Sequence, residues 1–108
     1  MSGLEEFPSN LVPIKDVNDK QVQRAGRFAV DRHNKNVGHH FSYKGVVNGV
    51  YNPIIGGDLK YFIIVIEAIN DDGFRWSYIA KVVWFPFMPR EFYKLLSFEE
   101  VIEFPVPK

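Results

Sequence analysis

Two hydrophobic periods divide this chain at Gly38. Before it, Val22, Ala25, Ala29 and Val30 recur at near-helical spacing, which predicts one helix with one buried face. Asn18 with Gln21 three residues on is a capping-box pattern, and it sets the start. Asn34-Lys35-Asn36-Val37-Gly38 supplies a basic last turn and residues that tolerate the left-handed conformation. The helix is predicted from about Asp19 to about Asn34. Upstream, residues 1–12 show no periodicity and read as a flexible arm. Leu11-Val12-Pro13-Ile14 is extended, with Pro13 confining it to an edge or to a strand's start.

After Gly38 the period becomes two. Strands are predicted from Phe41 through Val47 towards Tyr51, from Leu59 to Ile69, from Ser77 to Phe85 and from Phe92 to Phe98. Gly45 marks a bulge. Between the strands, Asn52 to Asp58 and Asn70 to Gly73 carry turn chemistry, and the prolines of Phe85 to Pro89 stiffen the last connection. Residues 99–108 read as an extended tail. Phe62, Ile64, Ile66 and Ala68 share one strand face, as do Tyr78, Ala80, Val82 and Trp84, and both sets should pack on the helix. The opposite face holds Ile63, Val65, Glu67, Ile79, Lys81 and Val83. That is apolar for a sheet with one side in water, read either as scattered surface aliphatics or as a self-association patch. One helix followed by hairpin-linked strands is an α+β fold: a long helix wrapped by a four- to five-stranded antiparallel sheet over residues 13–98.

Composition narrows the function. Of 108 residues, 46% are hydrophobic, which supports one folded domain rather than disorder. Thirteen basic residues balance thirteen acidic ones, so nothing attracts nucleic acid or an anionic membrane. There is no cysteine, which removes disulfides, thiolate metal sites and a cysteine nucleophile. No apolar run is long enough for a membrane span, and the start lacks a signal-like hydrophobic segment. The compartment stays open: secreted or vacuolar if a signal was removed, cytoplasmic otherwise. His33, His39 and His40 do not form a metal set, because neighbouring side chains of an extended segment point to opposite faces and no carboxylate completes the group. Gly56-Gly57 lacks the Lys-Ser/Thr of a phosphate loop. No Ser, His and Asp show a catalytic spacing. The expectation is a protein without cofactor or enzymatic activity. A ligand pocket between helix and sheet is disfavoured by Ala25, Gly26 and Ala29, which suit close packing.

Within the helix, Ala25-Gly26-Arg27-Phe28-Ala29-Val30 with His33-Asn34 resembles the helix signature of the plant cystatins, inhibitors of papain-like cysteine proteases. The resemblance spans about residues 9–98 and implies a cystatin-like fold. It also implies a protease-binding wedge of three segments. The family's Gly-Gly pair in the arm falls on Ser9 and Asn10. Its Gln-x-Val-x-Gly loop falls on Asn52-Pro53-Ile54-Ile55-Gly56. There Gly56 matches, Ile54 stands for Val and Asn52 for Gln, while Pro53 would stiffen the loop before binding. Its Pro-Trp pair becomes Pro86-Phe87, which keeps an aromatic anchor and loses the indole N–H. At about 1 kcal/mol for each departure, affinity would fall on the order of 100-fold from an ideal wedge. The implied function is reversible, competitive inhibition of a papain-like protease. The alternative is a cystatin-fold interaction module that no longer inhibits, motivated by the altered motifs and the apolar sheet face. Exchange of the helix and first strands through the first hairpin loop, favoured by Pro53, would give a domain-swapped homodimer.

Overall fold

The chain enters its helix through a turn built by Asp16. In the computed structural model, which describes residues 11–52, 60–85 and 92–102, the Asn18 N–H donates to Asp16 Oδ1 at 3.0 Å. Helix α1 then runs Lys20–Val37, and its N-cap is Asp19, whose carboxylate accepts from the Gln21 N–H at 2.8 Å. The cap is therefore one residue later than Asn18. The backbone N–H that a capping box would leave for Gln21 is already donated to Asp16, and a carboxylate suits the positive helix end better than an amide.

The helix also ends later than Asn34. That side chain is spent outside the helix: Oδ1 accepts from the Phe41 N–H and Nδ2 donates to the Phe41 carbonyl, both at 3.0 Å. It latches the connector that leads into the first long strand while the backbone winds on to Gly38. Gly38 adopts the left-handed conformation at φ 76° and closes the end by donating to the Asn34 carbonyl at 2.8 Å.

The five strands are β1 Val12–Pro13, β2 Ser42–Tyr51, β3 Lys60–Ile69, β4 Arg75–Phe85 and β5 Phe92–Glu100. They form one antiparallel sheet in chain order. Pro13 sits in the short edge strand, where its missing donor costs no ladder bond. Both β4 and β5 extend two residues beyond the ends their patterns predict, at Arg75 and Glu100. β2 shifts register between Tyr43 and Gly45, where a bulge is expected, and again between Val46 and Asn48. The turn at residues 70–73 forms as read, with the Gly73 N–H donating to the Asn70 carbonyl at 2.9 Å and Asn70 Oδ1 accepting from the Phe74 N–H at 3.0 Å.

The core lies between the helix stripe and the inner sheet face. Ala25, Ala29, Val30, Ile64, Ile66, Ala68, Ala80 and Val82 are wholly buried. The small helix residues permit this contact. A Cβ on Gly26 would lie 2.5 Å from Val46 Cγ2. Beside it, the Gln23 side chain donates to the Val17 carbonyl and accepts from the Tyr43 hydroxyl, tying the helix entry to β2. On the outer face one expectation fails: Val83 is 5% exposed, whereas Ile79 is 37% exposed. Alternation assigns a side chain to a face; it does not say how much of that face is covered.

Candidate functional site

Strand order and register decide which connections share an end of the molecule. Val12 of β1 pairs with Tyr51 of β2, Tyr51 with Phe62 of β3, Lys60 with Trp84 of β4, and Phe85 with Phe92 of β5. Hence the start of β1, the end of β2, the start of β3, the end of β4 and the start of β5 lie together. At about 4.8 Å per strand, these five ends span roughly 19 Å. The arm before Leu11, the connection after Asn52 and the connection after Phe85 all attach to this arm end of the sheet. The 70–73 turn and the helix C-terminus occupy the opposite end.

Of the nine residues expected to contact a protease, Asn52 is described. Its N–H donates to the Tyr61 carbonyl at 3.0 Å, so it closes the β2–β3 ladder and stands where the connection leaves the sheet. Its side chain is half-buried. Ser9, Asn10, Pro53, Ile54, Ile55, Gly56, Pro86 and Phe87 lie outside the described residues. The described ends that flank them are the structure's contribution to the site.

Two groups fix those ends. The first is Gly49, at which a Cβ would meet the Ile63 carbonyl oxygen at 2.8 Å and Ile14 Cδ1 at 3.0 Å. The missing side chain lets Ile14 lie on β2, with its N–H donating to the Gly49 carbonyl at 2.9 Å. That contact aims the residues that lead back into the arm. The second is Lys60, the first residue of β3. Its ammonium stands 5.3 Å from the Tyr51 ring centroid, 5.6 Å from Trp84 and 6.0 Å from Phe62, and 3.3 Å from Gln21 Oε1. Beside it a cleft of about 200 Å³ opens between β1, the helix start and the sheet, lined by Ile14, Asp19, Gln21, Tyr51, Lys60 and Phe62 among others.

Neither group stood out in the sequence. Gly49 reads as a weak spot in a strand pattern, and Lys60 as an ordinary surface lysine. Pairing Leu59–Ile69 with both neighbouring strands would have placed Lys60 among aromatics, but the register depends on two bulges in β2.

The cleft at this end mixes apolar side chains with Lys15, Asp16, Asp19, Gln21 and Lys60, and among the described residues no group of three or more His, Asp or Glu is placed to hold a metal ion. At the far end, His33 Nε2 lies 3.1 Å from His39 Nδ1, and the His33 ring stacks on Phe98 at 4.1 Å. Burial, and then the neighbouring His39, hold His33 below its ordinary pKa, while Asp71 opposes them.

Comparison with known proteins agrees with this architecture. A family described as "Aspartic acid proteinase inhibitor" matches residues 14–101. The chain is 36% identical over 89 residues to Cysteine proteinase inhibitor 1 of Actinidia chinensis var. chinensis, covering 82% of this chain and 72% of that protein. It is 34% identical over 87 residues to Cysteine proteinase inhibitor 5 of Arabidopsis thaliana, covering 81% of this chain and 67% of that protein. With its helix signature, its α+β sheet and these matches, the chain belongs to the plant cystatin-like family of proteinase inhibitors.

Proposed function

We propose that this chain is a proteinase inhibitor that blocks papain-like cysteine proteases reversibly and in competition with substrate. The observation that carries the reading is the convergence of three chain segments on the arm end of the sheet. The names of the two plant relatives agree with it. In this reading Ser9 and Asn10 lead the arm along the protease surface. Asn52 to Gly56 enter the cleft, with Gly56 allowing close backbone approach and Ile54 filling an apolar spot. Pro86 orients Phe87 as the anchor on the other side. No scissile bond is offered in reach of the nucleophile, so the complex forms and dissociates unchanged.

The measurement is inhibition of papain and of a cathepsin-like plant protease by the purified chain. A dissociation constant from nanomolar to low micromolar, competitive with substrate, is the expected result. The double variant Gly56→Trp, Phe87→Ala should lose it while keeping the fold. The family description favours a second reading, in which the same edge blocks an aspartic protease. Pepsin belongs in the same experiment for that reason. Inhibition of pepsin alone would replace the cysteine-protease reading. Inhibition of neither class at tens of micromolar would return the chain to the interaction-module reading.

A further inference from the structure

We infer that Lys60 is a positioning residue: its ammonium clamps the bases of both hairpin connections to the start of the helix and so sets the geometry of the inhibitory edge. This rests on the proposed wedge and adds a residue that the wedge does not contain. The ammonium has partners on four elements. Tyr51 is the last residue of β2, Phe62 and Lys60 itself belong to β3, Trp84 lies one residue from the end of β4, and Gln21 is in the first turn of α1. The three ring centroids stand 5.3–6.0 Å from Nζ, within the range of cation–π attraction. The Gln21 Oε1 acceptor at 3.3 Å gives the cation a directional bond as well.

The placement of these partners makes the cage more than a patch of stability. Tyr51 adjoins Asn52, where the first connection departs. Lys60 is where that connection returns. Trp84 adjoins Phe85, where the second connection departs, and Lys60 and Trp84 are direct cross-strand partners. One side chain therefore spans the roots of two connections that must meet a protease together. Strands of a twisted sheet fray first at their ends, and the cost of ordering such ends on binding is subtracted from affinity. A clamp at the roots removes that cost in advance. The central strands below are held by the buried core in any case, so the clamp acts on shape at the edge rather than on the existence of the fold.

Lys60→Met is the informative variant, because Met keeps an apolar stem of similar length for the rings and removes the charge. The expected result is a Ki raised about tenfold, mostly through faster dissociation, with little change in the unfolding midpoint. Lys60→Arg should restore inhibition, since a guanidinium also stacks on rings and donates to an amide oxygen. Trp76→Ala, at the opposite end of the sheet, is the control for stability: it should lower the midpoint and leave Ki unchanged. A Lys60→Met protein that inhibits like the parent overturns the inference, as does failure of Lys60→Arg to restore what Lys60→Met loses. Amide hydrogen exchange gives a readout independent of any protease. In Lys60→Met the Asn52 N–H, which donates to Tyr61, should exchange faster, while the helix centre stays unchanged. If the parent chain inhibits no protease, the wedge reading falls alone. The clamp then stands or falls on exchange, and an unchanged Asn52 rate overturns it.

Discussion

Gly26 shows how one residue type can set the distance between helix and sheet. In an exposed helix, replacing Gly by Ala stabilises by about 1 kcal/mol. Here the added methyl would lie 2.5 Å from Val46 Cγ2 and 3.0 Å from Tyr43 Cε1. Both are side chains of β2, and Val46 is buried, so the methyl is absorbed only by moving the helix or the strand. Overpacking of that kind costs about 1–3 kcal/mol. The steric cost exceeds the propensity gain, and Gly26→Ala is expected to lose roughly 1 kcal/mol net in urea unfolding. A gain in stability would mean that Val46 can rotate away freely. The absence of a side chain at Gly26 is legible in the sequence. The reason for it is not, because Val46 and Tyr43 are reached only when the helix lies across β2.

At the scale of elements, the far end of the helix is held by a different device from the near end. His33 stacks on Phe98 of β5, the connector residue His39 stacks on Phe41, the two pairs meet at tilted angles, and Phe98 stacks in turn on Tyr78 of β4. The Asp71 carboxylate of the 70–73 turn accepts from the His40 backbone N–H at 2.7 Å. The single hydrogen bond between the two imidazoles needs one ring nitrogen to donate and the other to accept, so it does not survive double protonation. Burial and His39 lower the His33 pKa from 6.5 against the opposing Asp71. The unfolded chain therefore takes up this proton first on acidification. Stability is fully present above 6.5, falls as the pH drops below that value, and levels off once folded His33 is protonated too. The urea midpoint should accordingly decline as the pH falls below 6.5, and His33→Phe, which keeps the stack and removes the titration, should flatten the decline. A parent profile that stays flat just below 6.5 would show that His33 takes up its proton in the folded state without loss. The helix itself was legible from its period. Its cap at Asp19 and its end at Gly38 were displaced from the pattern by local side-chain bonds at Asp16 and Asn34.

For the whole molecule, the connection between β2 and β3 divides the chain into two halves. β1, α1 and β2 precede the 53–59 connection, and β3, β4 and β5 follow it. We propose that Pro53 allows this connection to straighten, so that two copies exchange their first halves and rebuild between chains the contacts that α1 and β2 make with β3, β4 and β5. Such a dimer would take the first hairpin out of the wedge. Warming near the unfolding midpoint at high concentration, followed by cooling, should convert part of the 12.5 kDa species to one of twice that mass by light scattering. Pro53→Gly should lower the yield. A sample that returns wholly to the monomer would count against the exchange. The exchanged form should also inhibit papain less than the monomer from the same preparation, which ties assembly to the edge proposed for function.

Period and composition by themselves determined the class of this fold. A helical stripe of small residues followed by alternating strands admits few arrangements other than one helix on an antiparallel sheet, and the buried positions follow from the two periods. The Arg27-Phe28-Ala29-Val30 and His33-Asn34 signature determined the family. Distances between elements were decided by tertiary structure. Alternation could not tell that Val83 is covered while Ile79 is open, since both share a face. Nor could spacing bring Lys60 onto Tyr51 and Trp84, because that meeting depends on the register of three strands and on two bulges in β2. A sequence records which side chains seek burial; the register of the paired backbones decides which of them meet.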